Sequence, residues 1–322
     1  MSISSLWHPE RYHGWNRSRS YFEGWYYKVV SADEQCAMAI IPGIAMDAEG
    51  NQQAFIQVMD GRARTAKYHK FPASDFQMAR EKFDLRIADN HFTESGLHIQ
   101  LADTQAQLEF VNRVPWPSCW YSPGIMGPFS FVPMMQCYHG ILSMDHEVHG
   151  TIRHDGRAID LQGGRGYMEK DWGRSFPEAY VWMQSNHFSK VGVSMKASIA
   201  KIPWMGTSFV GYIAGVWLGD RLIQFTTYNL TKLVLCQIDE WEVMVVVQNR
   251  SHRLEIRAVR ADSTELASPI LGFMDGRIEE SMEAVLHVKL TERRTGRVLL
   301  EDTGRSAGLE VAGEAGLLVT EK

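Results

Sequence analysis

Basic residues are never massed in this sequence. Its 322 residues hold 33 Lys and Arg against 38 Asp and Glu, a formal net charge of -5. Without a basic stripe to displace counterions from a phosphate backbone, nucleic acid is not an expected partner. Cysteine is sparse: Cys36, Cys119, Cys137 and Cys236 form no C-x-x-C, which excludes a disulfide framework and fits buried free thiols in a reducing compartment. The longest apolar run, Phe209 to Leu218, is about half of the ~20 residues a membrane-spanning helix needs. The first residues lack a basic region followed by an apolar core, so no secretory signal is expected and the protein reads as cytoplasmic. Several motifs are missing as well. Gly164-Arg165-Gly166 lacks the third glycine and the helix of a dinucleotide loop, and neither a P-loop nor a G-x-S-x-G is present. His146 and His149, three apart on a strand, point to opposite faces, so no metal is expected.

What is present is a heavy aromatic and thioether load, 10 Trp, 11 Tyr, 14 Phe and 16 Met. Such side chains fill a core or line a pocket for a large apolar ligand. From Tyr21 onward, short runs rich in aromatic and β-branched residues alternate with Gly, Asp and Asn turns, which predicts strands. Only Ser74–Phe83 has helical spacing, with Ser74 as N-cap and Phe76, Ala79 and Phe83 on one side. Pro115, Pro117, Pro123 and Pro128 turn residues 115–133 into an ordered flap, packed over one end of a barrel as a gate or a plug. The chain thus reads as all-β with two antiparallel barrels or sandwiches: an N-terminal domain over 1–168, carrying the flap, and a C-terminal domain over 169–322.

Polar chemistry concentrates at the junction, between Gly163 and Phe188. On an extended segment Glu169 and Asp171 share one side and Lys170 takes the other. Such a pair offers a general acid, one carboxylate keeping its neighbour protonated by repulsion. The alternative is a salt-bridge cluster that braces the two halves. Glu23, beside Gly24 and Trp25, is a further candidate acid, and Tyr167 a phenolic donor. Trp182, Gln184 and Asn186 fall on one face of the next strand, suited to binding an oxygen-bearing ring or, equally, to satisfying backbone at a barrel mouth.

The stretch Gly164-Arg165-Gly166-Tyr167-Met168-Glu169-Lys170-Asp171-Trp172-Gly173, with Trp182-Met183-Gln184-Ser185-Asn186-His187-Phe188, resembles the hallmark of the tocopherol cyclase family. Tyr21 to Lys28, Trp120 to Phe129, Tyr138-His139-Gly140, Gly276-Arg277-Ile278 and Ala307 to Glu310 resemble its other motifs. The resemblance implies two lipocalin-like (calycin) barrels, as in carotenoid hydratases and Diels-Alderase-type cyclases. Gly24 and Trp25 are adjacent, a departure from the Gly-x-Trp of a lipocalin opening. It also implies a cofactor-independent, metal-free isomerase or lyase, a cyclase or hydratase acting on a prenylated or isoprenoid substrate such as a prenyl quinol. Asp171 or Glu169 would protonate an alkene, with Glu23 as a further acid. Trp25, Trp172 and Trp182 would line the cation site, Trp120 and Tyr167 would also bind substrate, and Gln184 or Asn186 would orient the phenol. The implied partner is a hydrophobic small molecule, taken up through transient membrane contact; the alternative is a non-catalytic carrier of such a molecule.

Overall fold

A computed structural model describes residues 3–320. A 3-10 turn, Ile3–Trp7, and an irregular arm lead into β1 (Tyr21–Val30), β2 (Ala37–Met46), β3 (Gln52–Asp60) and β4 (Thr65–Pro72). Shorter strands follow: β5 (Phe76–Met78), β6 (Asp84–Ile87), β7 (Asn90–Thr93), β8 (Gly96–Gln100) and β9 (Thr104–Val111). Beyond the flap come β10 (Cys137–His154), β11 (Arg157–Asp160) and β12 (Gly164–Gly173). These strands form one antiparallel sheet in the order β4-β3-β2-β1-β12-β10-β9-β8-β7-β6-β5, with β11 against β10.

The second sheet takes β13 (Ala179–Ser185), β14 (Ser194–Trp204), β15 (Thr207–Trp217), β16 (Leu222–Thr226) and β17 (Lys232–Ile238). It continues with β18 (Glu242–Gln248), β19 (His252–Val259), β20 (Thr264–Ile270), β21 (Phe273–Glu292) and β22 (Val298–Gly313). Its order is β16-β15-β14-β13-β22-β21-β19-β18-β17, with β20 beside β21. The all-β expectation holds. Among the described residues neither strand order includes a pair that closes the sheet on itself.

Two compact units result: Met1–Phe176 with Leu266–Arg277, and Pro177–Glu265 with Ile278–Lys322. The boundary expected after residue 168 falls inside β12, whose register with β1 is unbroken from Arg165 to Gly173. The first unit also borrows a segment from the second half of the chain. There Gly272 N donates to Arg174 O at 2.6 Å and Met46 N to Gly272 O at 3.1 Å. Gln57 accepts from Ala267 N at 2.9 Å. Gly276 lies inside β21.

Alternation along the strands explains both cores. In the first, Trp25 stacks on Phe83 at 5.2 Å and Tyr27 meets Phe92 and Phe110 at 6.0 and 5.8 Å. In the second, Val181 and Met183 join Phe225, Val245 and Leu286. The helix expected over 74–83 is absent: Ala73–Asp75 is a single 3-10 turn, and Phe76–Met78 pairs with β6. Phe76 and Phe83 both turn to Trp25 instead, so aromatic burial in a sheet core overrides a short helical pattern.

Candidate active site

β12 lies at the centre of the first sheet, between β1 and β10, and its alternation sorts the polar residues onto two faces. Glu23 sits opposite Trp172 and Trp25 opposite Lys170, whereas Gly24 sits opposite Asp171 and Tyr26 opposite Glu169. His139 of β10 is the neighbour of Asp171 on its other side. The sheet therefore separates Glu23, Trp25, Lys170 and Trp172 from Tyr167, Glu169, Asp171 and His139.

On the first face a buried ion pair ties down the N-terminal arm. Lys170 Nζ is 2.5 Å from Glu23 Oε1, and both side chains are fully buried. Lys170 also donates to Arg11 O and, at 2.8 Å, to His13 Nδ1. His13 Nε2 lies 3.2 Å from Ser5 O, so its proton sits on Nε2 and Nδ1 is free to accept. Burial and the Lys170 charge push the His13 pKa down, against the pull of Glu23. Glu23 accepts from Tyr21 OH at 2.5 Å and from His13 N at 2.9 Å. Burial alone would raise its pKa, but Lys170 and His13 outweigh that and hold it low. Glu23 is thus an ionised acceptor for its neighbours. Burial brings Lys170 down to about 8, opposed by Glu23.

Trp172 roofs this network. Its ring is parallel to His13 at 4.3 Å and to Tyr138 at 5.5 Å, with Lys170 Nζ 4.6 Å from its centroid. Pro9 closes over Gly140, where a Cβ would come within 2.6 Å of the proline. The remaining cavity, bounded by Pro9, His13, Pro123, Tyr138, His139 and Trp172, measures about 10 Å³, the space of a single water.

The second face carries a linked array of proton-bearing groups. Asp171 Oδ1 accepts from His139 Nδ1 at 2.8 Å. Across the same ring, His139 Nε2 is 3.5 Å from Glu169 Oε2, and that oxygen accepts the hydroxyl of Tyr167. Cys137 Sγ lies 3.8 Å from Asp171. Burial, with Glu169 adding to it, raises the Tyr167 pKa well above its ordinary value, and burial with Asp171 does the same for Cys137. Both are therefore donors that keep their protons. Glu169 is nearly buried at 6% side-chain exposure and Asp171 is more open at 23%. One donor atom each from His139, Glu169 and Asp171 fall within 4.8 Å of one another, a spacing that admits a cation.

The expected site residues are only partly brought together. Tyr167, Glu169 and Asp171 share the array, whereas Trp172 lines the small cavity on the opposite face of the sheet. Trp25 packs inside the core, its Nε1 donating to Glu10 O at 3.0 Å. Trp120 is 80% exposed at the flap, ring edge to Tyr121. The flap meets the arm through Trp7, which packs on Phe131 at 5.6 Å and donates to Cys119 O. Trp182 and Gln184 are buried on β13 in the second unit, on the face away from its core, and Asn186 lies just beyond the strand. Sequence reasoning missed His139, His13 and the role of Lys170. His139 was visible only inside a motif, because its partners lie 32 positions away on a neighbouring strand.

The sequence match decides the family. Residues 75–313 fit the tocopherol cyclase-like family. The chain belongs to that family. Chloroplastic tocopherol cyclase of Zea mays is 27% identical over 51% of this chain and 36% of its own length, so the chain spans well under half of that relative. Two crystal structures share the fold: CghA, with a TM-score of 0.56 at 9% identity over 92% of this chain and 89% of that one, and kievitone hydratase from Nectria haematococca, with 0.51 at 8% over 91% and 89%. Gly166 has a packing cause here. A Cβ on Gly166 would stand 2.2 Å from His146 Nε2, and burial drives the pKa of that imidazole down to about 3.

Proposed function

We propose that this protein is a cyclase or hydratase that adds oxygen across an isoprenoid alkene by acid catalysis. The observation that carries this reading is the Tyr167–Glu169–His139–Asp171 array on a buried sheet face. Membership in a family named for a cyclase, and a fold shared with a hydratase, support it. On this reading each sheet is a lipocalin-like barrel wall.

A carboxyl proton from Asp171 or Glu169 passes to the less substituted alkene carbon, leaving a tertiary cation and a carboxylate. A phenol of the same substrate, or a water, attacks the cation and forms the C–O bond. The oxygen's proton returns through His139 to the carboxylate, so the acid is regenerated and no redox partner is needed. His139, bonded to Asp171 and facing Glu169, offers a path for a proton between the two carboxylates. Tyr167, on the same face as the carboxylates, offers an aromatic ring worth about 0.5–2 kcal/mol to a cation once water is excluded.

The test is turnover of prenylated quinols by Asp171→Asn and Glu169→Gln. A loss of at least about 100-fold in kcat, with melting unchanged, is expected for a general acid. Full activity in both variants refutes the assignment. Dialysis against a chelator should leave turnover intact; a loss restored by divalent metal would make the His139–Glu169–Asp171 group a metal site instead.

A further inference from the structure

The sequence has no basic run, yet the second unit gathers one from separate loops. Lys190, Arg221, Arg250, Arg293, Arg294 and Arg297 are all exposed and occupy the turns 189–192, 218–221, 249–252 and 292–297. The same turns hold only two carboxylates, Asp220 and Glu292, in a chain of net charge -5.

The turns are physically contiguous. Arg293 N donates to Ser251 O and Arg293 Nη1 to Asn249 O, both at 2.8 Å. A methyl group at Gly219 would sit 3.9 Å from both Lys190 Nζ and Gly192 O. Gln224 O accepts from Asn229 Nδ2 at 3.1 Å and Asn249 Nδ2 at 3.3 Å, which fixes the turn bearing Leu230 beside this group. Leu230 is 90% exposed and Val191 75%. A shallow depression bounded by Leu222, Asn229, Leu230, Asn249, Arg250 and His252 joins the two features.

We propose that this end of the second unit docks on an anionic phospholipid surface. The arginines meet headgroup phosphates, and Leu230 and Val191 enter the boundary with the acyl chains. Charge complementarity selects the anionic surface. Two protruding aliphatic side chains among the cations select a bilayer over a nucleic acid, whose phosphate backbone offers them nothing to enter. The inference rests on the second unit alone and is independent of the acid site.

Vesicle flotation with the full chain tests it, using phosphatidylcholine vesicles with and without phosphatidylglycerol. Binding should require phosphatidylglycerol and fall with salt. Each cation near such a surface is worth roughly fivefold in affinity, so Arg294→Gln with Arg297→Gln should weaken binding by about 25-fold. Leu230→Ser, which leaves the charge unchanged, should also weaken it. All three positions are exposed, so melting should not move. Equal binding to both vesicle types, no binding to either, or no effect of the arginine pair overturns the proposal. Tight binding of duplex DNA with Leu230→Ser neutral overturns it in favour of a nucleic-acid surface.

Discussion

The most consequential single residue is Lys170, because it lies between an ionised Glu23 and the arm. Lys170→Met should destabilise the fold by about 3–5 kcal/mol, since it leaves Glu23 buried and unpaired. Adding Glu23→Gln should recover part of the loss in urea denaturation. The sign with pH follows from Glu23. Its folded pKa is below the ordinary 4.5, so its stabilisation is complete above that value and is lost as pH falls through the folded one. Glu23→Gln should therefore give a flatter acid limb in thermal melts between neutral and low pH. At the second face, His139→Gln should lower kcat while KM and melting stay close to wild type, and it should change the pH–rate profile. A merely structural histidine would move melting instead. From sequence, Glu169, Asp171 and Lys170 could be placed on opposite sides of a strand, and they are. That Glu23 belongs with Lys170 could not be read, because the pairing depends on the β1–β12 register rather than on any spacing along the chain.

At the scale of elements, the arm and the flap form one cover. Pro9 on Gly140 and Trp7 on Phe131 are its fasteners. Gly140→Val should push Pro9 away and loosen residues 5–13, seen as faster amide exchange there and faster proteolysis, with the sheet core unchanged. Strands were legible because most are amphipathic or apolar runs bounded by turn residues. The flap was legible from its prolines. The one predicted helix failed because Phe76 and Phe83 satisfy helical spacing and a shared contact with Trp25 equally well, and only tertiary packing distinguishes these. Cysteine burial was read correctly for Cys36 and Cys236 but not for Cys119, which is exposed at the flap.

For the whole molecule, the first of two compact units takes Leu266–Arg277 from the second half of the chain. No sequence signal marks Leu266–Arg277 as part of the first unit, since its contacts with Met46, Gln57 and Arg174 are backbone and amide hydrogen bonds that many residue types could make. A fragment ending at Phe176 would leave the Gln57 amide and the Met46 N–H without these partners. It should unfold at lower urea than the first unit does in the intact chain, followed by the near-ultraviolet signal of its tryptophans. No helix among the described residues is long and apolar enough to cross a membrane.

The borrowed segment also sets an order of events during synthesis. The first unit cannot finish folding when its own strands have emerged from the ribosome; it must wait for Leu266–Arg277. At translation rates of about 5–20 residues per second, that delay is roughly 5–20 s. Through that interval the ends of β1, β2 and β12 stand uncovered, and this is when a chaperone would have the most to protect.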